Sequence, residues 1–355
     1  MSENRVKVAQ VVFTGENRAE LVPLAERADL APREMRLETV YSLISPGTEL
    51  SWYTGVQRDV AGSKFHYPVL PGYCNVAQVT EVGADITGFS PGDLVVSGAA
   101  HLSEFVLDPA PVLEFVHGDL RKPIAAYPTA SPSELAPFAK MVEIALTAER
   151  VAQCSLGDHV VVIGQGMIGN LAAQLLQLSG AEVLVVDTSE NRLEVSRNCG
   201  IAHTANPQTD ALVPFIDEWT GGRGVDVTVE SIGSARLIFE SVEYTRKRGR
   251  IIMLGTPRRR MDMNPVPALW QAHMKGIEIT GALRSQFYPL YPASFERRSV
   301  LDDLLLAISL IESGRINVRP FLTGRYKPAS CQEAYQHLIT AADRAMGVLF
   351  DWHTE

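Results

Sequence analysis

A β-branched run, Val160-Val161-Val162-Ile163, leads straight into Gly164-Gln165-Gly166-Met167-Ile168-Gly169 and on into a helical pattern. A G-x-G-x-x-G placed between strand and helix is chemistry for a dinucleotide. Gly164 permits the tight turn, Gly166 lets backbone approach a pyrophosphate, and Gly169 lets helix and strand pack closely. The amides that open the helix, at Met167 and Ile168, are then free to meet phosphate oxygens. The next strand ends in Asp187, about twenty residues on, where a carboxylate accepts from both ribose hydroxyls of NAD and repels the extra phosphate of NADP. Arg192, just beyond it, is the one feature in favour of NADP, and it reads more simply as a helix-surface residue. NAD is therefore the expected cofactor.

The elements around this motif repeat a strand–helix rhythm. His159–Ile163, Glu182–Val186, Val225–Glu230, Arg250–Leu254 and Glu278–Ala282 read as buried strands, with helices expected at Ile168–Leu178 and Asn191–Cys199. Such alternation argues for a parallel sheet covered on both faces. Ser231 with Ile232-Gly233, Leu254-Gly255-Thr256 and Ala282-Leu283 close later strands, where this fold presents backbone to the nucleotide. The first 125 residues or so instead read as β-rich, with strands at Val8–Thr14, Met35–Ile44, Asn75–Val82 and Leu94–Ser97 and turns rich in Gly and Pro. No long amphipathic helix is expected before Ser133–Val151. Helices near Val300–Glu312 and Gln332–Ala341 and a strand at Gly347–Asp351 end the chain.

Hydrophobic residues at 46% and charged residues at 21% over 355 positions describe a globular chain with room for two cores. The net charge of -9 leaves no basic face for nucleic acid. No apolar run is long enough to span a membrane, and the first residues lack a signal peptide's apolar centre. The four cysteines, Cys74, Cys154, Cys199 and Cys331, are far apart and suit a reducing compartment. A cytoplasmic location is expected.

Several further stretches carry a family resemblance. Val79-Thr80-Glu81-Val82-Gly83 before Gly88-Phe89-Ser90-Pro91-Gly92-Asp93-Leu94-Val95 looks like V-x-x-V-G … F-x-x-G-D-x-V. Ser155-Leu156-Gly157-Asp158, Ile311-Glu312-Ser313-Gly314-Arg315-Ile316 and Glu333-Ala334-Tyr335 look like K-P-G-D, I-x-x-G-R-I and E-A-Y. With these the chain resembles the medium-chain dehydrogenase/reductases, alcohol-dehydrogenase-like, over nearly its whole length. The resemblance implies an α/β protein: a GroES-like, β-rich catalytic domain at 1–140 and 284–355, and a doubly wound Rossmann domain at 141–283. It also implies a homodimer formed through the sheet edge at Glu278–Ala282.

The chain departs from that family where the family holds zinc. In place of C-G-[ST]-D it reads Ser45-Pro46-Gly47-Thr48-Glu49, with Pro46 at the ligand position. In place of G-H-E it reads Gly72-Tyr73-Cys74, and an ungapped count brings Lys140 to the third position. Proline and an ammonium do not bind zinc, tyrosine rarely does, and the structural four-cysteine loop is missing. No metal is expected, the competing idea being a new site from Cys74, His66 and His101. S-L-I-S-P-G-T-E and Y-P-V-L-P-G-Y are similar to a zinc-lacking subgroup that includes bacteriochlorophyllide dehydrogenase-like proteins and enzymes of polysaccharide biosynthesis.

The resemblance then implies oxygen stabilisation by hydrogen-bond donors. Thr48 stands where zinc enzymes keep a proton-relaying hydroxyl, or else caps the Pro46-Gly47 turn. Tyr73 points its phenol into the cavity, or is an aromatic filling the metal's volume. Lys140 adds a cation that lowers the Tyr73 pKa, or is solvated near a helix start. Glu49 holds backbone or a neighbouring donor, and His66 and His101 flank the cleft as catalytic or structural residues.

The activity implied is NAD(H)-dependent interconversion of a secondary alcohol and a ketone on a polyhydroxylated small molecule such as a sugar or cyclitol. Aromatics Phe287, Tyr288, Tyr291 and Phe295 could stack on a sugar face. Arg258–Arg260 with Arg284 could grip a carboxylate or phosphate, or could make a dimer contact. The alternatives are a zinc-free enoyl or quinone reductase, which would prefer NADPH, and a non-catalytic NAD-binding scaffold.

Overall fold

The computed structural model describes residues 8–25, 29–58, 65–109, 125–127, 133–283, 294 and 298–353, with 125–127 described by backbone alone. The expected aromatic cluster at 287–295 and Arg284 lie outside the described residues.

Short β-branched runs make the strands. The N-terminal part supplies β1 (Ala9–Gly15), β2 (Arg18–Pro23), β3 (Met35–Leu43), β4 (Asn75–Val82), β5 (Leu94–Ser97), β6 (Glu104–Leu107) and β7 (Ala125–Tyr127). Then come β8 (His159–Ile163), β9 (Glu182–Val186), β10 (His203–Ala205), β11 (Val225–Glu230), β12 (Thr245–Met253) and β13 (Glu278–Gly281), and finally β14 (Leu322–Tyr326) and β15 (Gly347–Asp351). β1 and β2 form a hairpin. A mixed sheet runs β14-β15-β3-β4-β5-β7, with β6 also paired to β3, so the last strands of the chain extend the sheet built by β3 to β7. The other sheet runs β10-β9-β8-β11-β12-β13, with every pairing parallel. That order reverses between β8 and β11, which is the doubly wound Rossmann arrangement and puts a ligand crevice outside the carboxyl ends of those strands. The protein is thus α/β, as its strand–helix rhythm implies.

The helix Ala139–Ala152 lies between the two sheets' cores, against helices Met167–Leu178 and Val300–Glu312. Its buried residues join Leu43, Val96, Leu171, Leu304 and Leu349 in one cluster that draws on both sheets. Truncating a side chain such as Leu171 to alanine there costs about 2–5 kcal/mol. This helix starts later than the expected Ser133. Pro137 cannot donate in a helix interior, so Ala136–Phe138 forms a 3-10 turn first. Polar starts are capped locally: Ser189 accepts from Arg192 N, and Ser299 with Asp302 forms a reciprocal capping box before Val300–Glu312.

One helix was not expected. Pro46–Tyr53 is helical, not a turn, with Ser45 at its N-cap and Pro46 at the first helical position. Proline suits that position because its missing N–H has no helical partner there in any case. Glu49 reaches back to accept from Ser45 N at 2.8 Å, doing the job of a capping-box acid one position late.

Candidate active site

The nucleotide side is built by β8, the glycine loop and helix Met167–Leu178. Gly164 has φ +91°, and a Cβ there would stand 2.5 Å from the Ile232 side chain. A Cβ on Gly169 would collide with the Gly164 carbonyl, so the helix meets the loop this closely only because residue 169 is glycine. Asp187 directly follows β9, buried, with Oδ2 accepting from Gln165 N at 2.6 Å and Oδ1 from Ser189 N at 2.8 Å. One amide on each oxygen leaves lone pairs for ribose hydroxyls. Arg192 is not a simple helix-surface residue. Its Nη1 lies 3.7 Å from Asp187 Oδ2 and its Nη2 donates to Ala342 O at 2.6 Å. The Arg192 side chain therefore ties the nucleotide sheet to the 341–343 loop, beside the acid that was expected to read ribose.

The later strand ends hold their loops by hydrogen bonds that motif reading did not find. Ser231 donates through Oγ to Ile163 O and Gly164 O, at 2.8 and 2.9 Å, so its hydroxyl braces the glycine loop. Glu230, fully buried, accepts from Ile232 N at 2.9 Å and Gly233 N at 3.0 Å, and burial pushes its carboxyl above the ordinary range. Leu254 N and Gly255 N both donate to Glu230 O, and Ala282 N donates to Met253 O. These amides are therefore committed to the fold, and what the strand ends offer a nucleotide is carbonyl oxygens, the exposed Thr256 and the exposed apolar tips of Ile232 and Leu283. Glycine loop, buried acid and apolar tips fit a dinucleotide.

Across the crevice, Tyr73 precedes β4 and donates to Ser45 Oγ at the start of helix Pro46–Tyr53. Thr48, in the first turn of that helix, is also within hydrogen-bonding reach of the Tyr73 phenol. Its hydroxyl does not cap a turn; Arg258 Nη2 points at it from 3.4 Å. Desolvation drives the Tyr73 pKa upward, with Cys74 adding to the rise and the Ser45 and Thr48 hydroxyls opposing it. The expectation that a lysine would lower it is corrected, because burial dominates. Tyr73 is a protonated donor at neutral pH.

Lys140 is not solvated. Its ammonium is buried and donates to Glu143 Oε2 at 3.0 Å on the same helix. His66 is exposed, whereas His101 has no exposed surface. His101 Nδ1 lies 2.8 Å from Ser42 Oγ and Nε2 lies 3.0 Å from Glu49 Oε2, so both ring nitrogens are engaged behind the helix. Tyr335 Oη also donates to Glu49 Oε2, at 2.6 Å, and Trp352 Nε1 donates to Ser42 Oγ at 2.8 Å. Glu49 and His101 therefore position Ser45 and its helix; neither opens to the crevice. Among the described residues no three His, Cys, Asp or Glu side chains gather as a metal site. Pro46 and the Tyr73 phenol beside a guanidinium, the residues that the resemblance aligns with zinc ligands, are a set that does not fit zinc.

Residues 168–297 match the family model described as zinc-binding dehydrogenase. The 2-dehydro-3-deoxy-L-galactonate 5-dehydrogenase of Pseudoalteromonas atlantica is 25% identical over 329 residues, covering 87% of this chain and 89% of that protein. Galactitol-1-phosphate dehydrogenase from Escherichia coli superposes with a TM-score of 0.78 at 18% identity, covering 97% of this chain and 99% of that one. A Sinorhizobium meliloti 1021 structure bound to NADP superposes with a TM-score of 0.76 at 16% identity, over 98% of this chain and 100% of that one.

Proposed function

We propose that this chain is a zinc-independent dehydrogenase, similar to the zinc-binding, alcohol-dehydrogenase-like enzymes, that interconverts a secondary alcohol and a ketone on a polyhydroxylated small molecule with NAD(H). The observation that carries this reading is the meeting of Tyr73, Ser45 and Thr48, from the two stretches that the family resemblance aligns with metal-ligand motifs. It belongs, on this reading, with zinc-lacking members of the family. The polyol class follows those dehydrogenase relatives that are named for a sugar acid or a sugar alcohol, while others are named L-threonine 3-dehydrogenase. The catalytic domain comprises 1–140 and 284–355 and the nucleotide domain 141–283. The protein works as a cytoplasmic homodimer.

Gly164, Gly166, Gly169 and the amides of Met167 and Ile168 would hold the pyrophosphate, and Asp187 the adenosine ribose. The bound nicotinamide supplies the hydride acceptor or donor. The protein's own part is the oxygen. Tyr73 and Thr48 place hydroxyl donors where negative charge develops, and a pre-placed donor of this sort needs no reorganisation during the reaction. With its pKa raised, the Tyr73 phenol stays protonated; it donates to Ser45 Oγ in this structure and would turn that one proton to the substrate oxygen to act as its donor. Ser45, held by the Glu49 carboxylate through its backbone, fixes the direction of the phenol. Buried apolar residues around Tyr73 limit water.

The test is a screen of polyols and keto sugars with NAD(H) and NADP(H), followed at the nicotinamide absorbance. Turnover of a polyol with NAD supports the reading. Turnover confined to enones or quinones with NADPH would replace it with a C=C reductase.

A further inference from the structure

The triplet Arg258-Arg259-Arg260 divides in the folded protein. Arg259 is exposed, and Arg260, with its side chain 85% exposed, lies against Asp262 at 3.5 Å. Arg258 instead turns into the crevice between the sheets. Its Nη1 faces Gly47 O and its Nη2 faces Thr48 Oγ1, each at 3.4 Å, at the outer limit of a hydrogen bond. Its Nε is enclosed and has no hydrogen-bond partner among the described residues.

Other partly enclosed arginines in the described structure are matched to carboxylates. Arg36 meets Glu104 at 2.7 Å, Arg150 meets Asp303 at 3.1 Å, and Arg246 meets Asp226 at 2.5 Å. No carboxylate among the described residues pairs with Arg258. Burial opposes its charge, and the neighbouring group that bears on it is the Tyr73 phenol. A half-desolvated guanidinium with open donors is costly unless a counter-ion completes it. Its planar fork accepts a carboxylate or a phosphate through paired bonds. Here that fork stands beside the two hydroxyls assigned to the reacting oxygen.

We propose that Arg258 is a specificity residue that receives an anionic group, carboxylate or phosphate, carried by the polyol substrate. The inference rests on the oxidoreductase reading above, since that reading makes Tyr73 and Thr48 the reacting end. Arg258 follows β12 of the nucleotide sheet, while Thr48 belongs to the other half. An anion held there is gripped from both sides of the crevice, close to the carbon that reacts.

The experiment compares three ligands of one carbon skeleton, galactitol, galactonate and galactitol 1-phosphate, on the NADH- or NAD-loaded protein. Binding is followed by calorimetry and turnover by absorbance, for the unmodified protein and for Arg258→Met and Arg258→Lys. At least one anion is expected to bind tenfold or more tightly than galactitol. Arg258→Met should weaken that anion about ten- to hundredfold more than it weakens galactitol, the range of a charge-assisted pair, with Arg258→Lys recovering part. Preference for galactonate identifies a sugar acid, and preference for the phosphate identifies a sugar phosphate. Equal binding of all three ligands, or an equal loss across them in Arg258→Met, overturns the inference. So does a matching loss of NADH affinity, which would make Arg258 a nucleotide residue. Arg258-dependent anion binding with no redox turnover of any alcohol or ketone would strike the oxidoreductase reading instead.

Discussion

Glu49 Oε2 and His101 Nε2 stand 3.0 Å apart, and neither side chain has exposed surface. The same carboxylate receives Tyr335 Oη and the Ser45 amide, so three segments distant in sequence, at 45–49, 101 and 335, meet on one side chain. Glu49→Ala would leave several buried donors without an acceptor. We expect a loss of about 3–5 kcal/mol in unfolding free energy, the range found when one partner of a buried polar pair is removed. Urea titration measures it. A loss below about 1 kcal/mol would mean that the network is not cooperative.

Removing single hydroxyls tests the oxygen-stabilising assignment. Tyr73→Phe and Thr48→Ala should each lower kcat by about 10²–10³, as for loss of one oxyanion donor, and leave the NADH dissociation constant nearly unchanged. The purified protein should hold no stoichiometric zinc by elemental analysis, and a chelator should leave turnover unaltered. Full activity in both variants would return Tyr73 to a packing role.

Asp187 should set the nucleotide preference, because its carboxylate repels a 2′-phosphate. Asp187→Ala should narrow a preference for NAD(H) over NADP(H) by about ten- to hundredfold, the weight of a hydrogen bond to a charged group. Arg192, 3.7 Å from that carboxylate, is then left to attract the extra phosphate. Fluorescence titration with both reduced nucleotides gives the ratio. Equal affinity in the unmodified protein would remove the NAD assignment.

A dimer would cover surface that the chain leaves open. β13 ends the parallel sheet, and on the adjacent helix Val266, Trp270 and Met274, each more than 60% exposed, recur every fourth residue on one face. Light scattering at micromolar concentration should report twice the chain mass, and Trp270→Glu with Met274→Glu should shift it to a monomer. A monomeric unmodified protein would refute the proposal.

Alkaline pH should destabilise the fold. Burial pushes the thiols of Cys154 and Cys199 up to about 12 and that of Cys331 to about 11, and raises the phenols of Tyr53, Tyr73, Tyr244 and Tyr335. The folded state thus keeps protons that the unfolded chain releases near pH 8.5 for thiols and 10 for phenols. The stabilisation is whole below those values and declines as pH rises past them. Melting temperature should fall above about pH 9, and the thiols should react slowly with iodoacetamide at neutral pH. A flat profile to pH 11 would contradict these shifts.

The nucleotide-binding half was legible in the sequence because its signals are local. A strand of β-branched residues, glycines where backbone must turn or touch, and an acid at the end of the next strand each act on neighbours in the chain, and β8, β9 and β11 fall on the expected residues. Tyr73 and Thr48 were legible only by position, through the residues they replace. What the tertiary structure decided is how side chains remote in sequence complete one another. By sequence Lys140 is either a cation near Tyr73 or a solvated residue at a helix start, and packing instead buries it against Glu143. Glu49 finds Tyr335 from the far end of the chain, and Arg258 reaches Thr48 from the other sheet. Nothing in the run Arg258-Arg259-Arg260 distinguishes its members. Only the crevice does, because desolvation and the lack of a carboxylate partner among the described residues are properties of a place in the fold and not of a residue type.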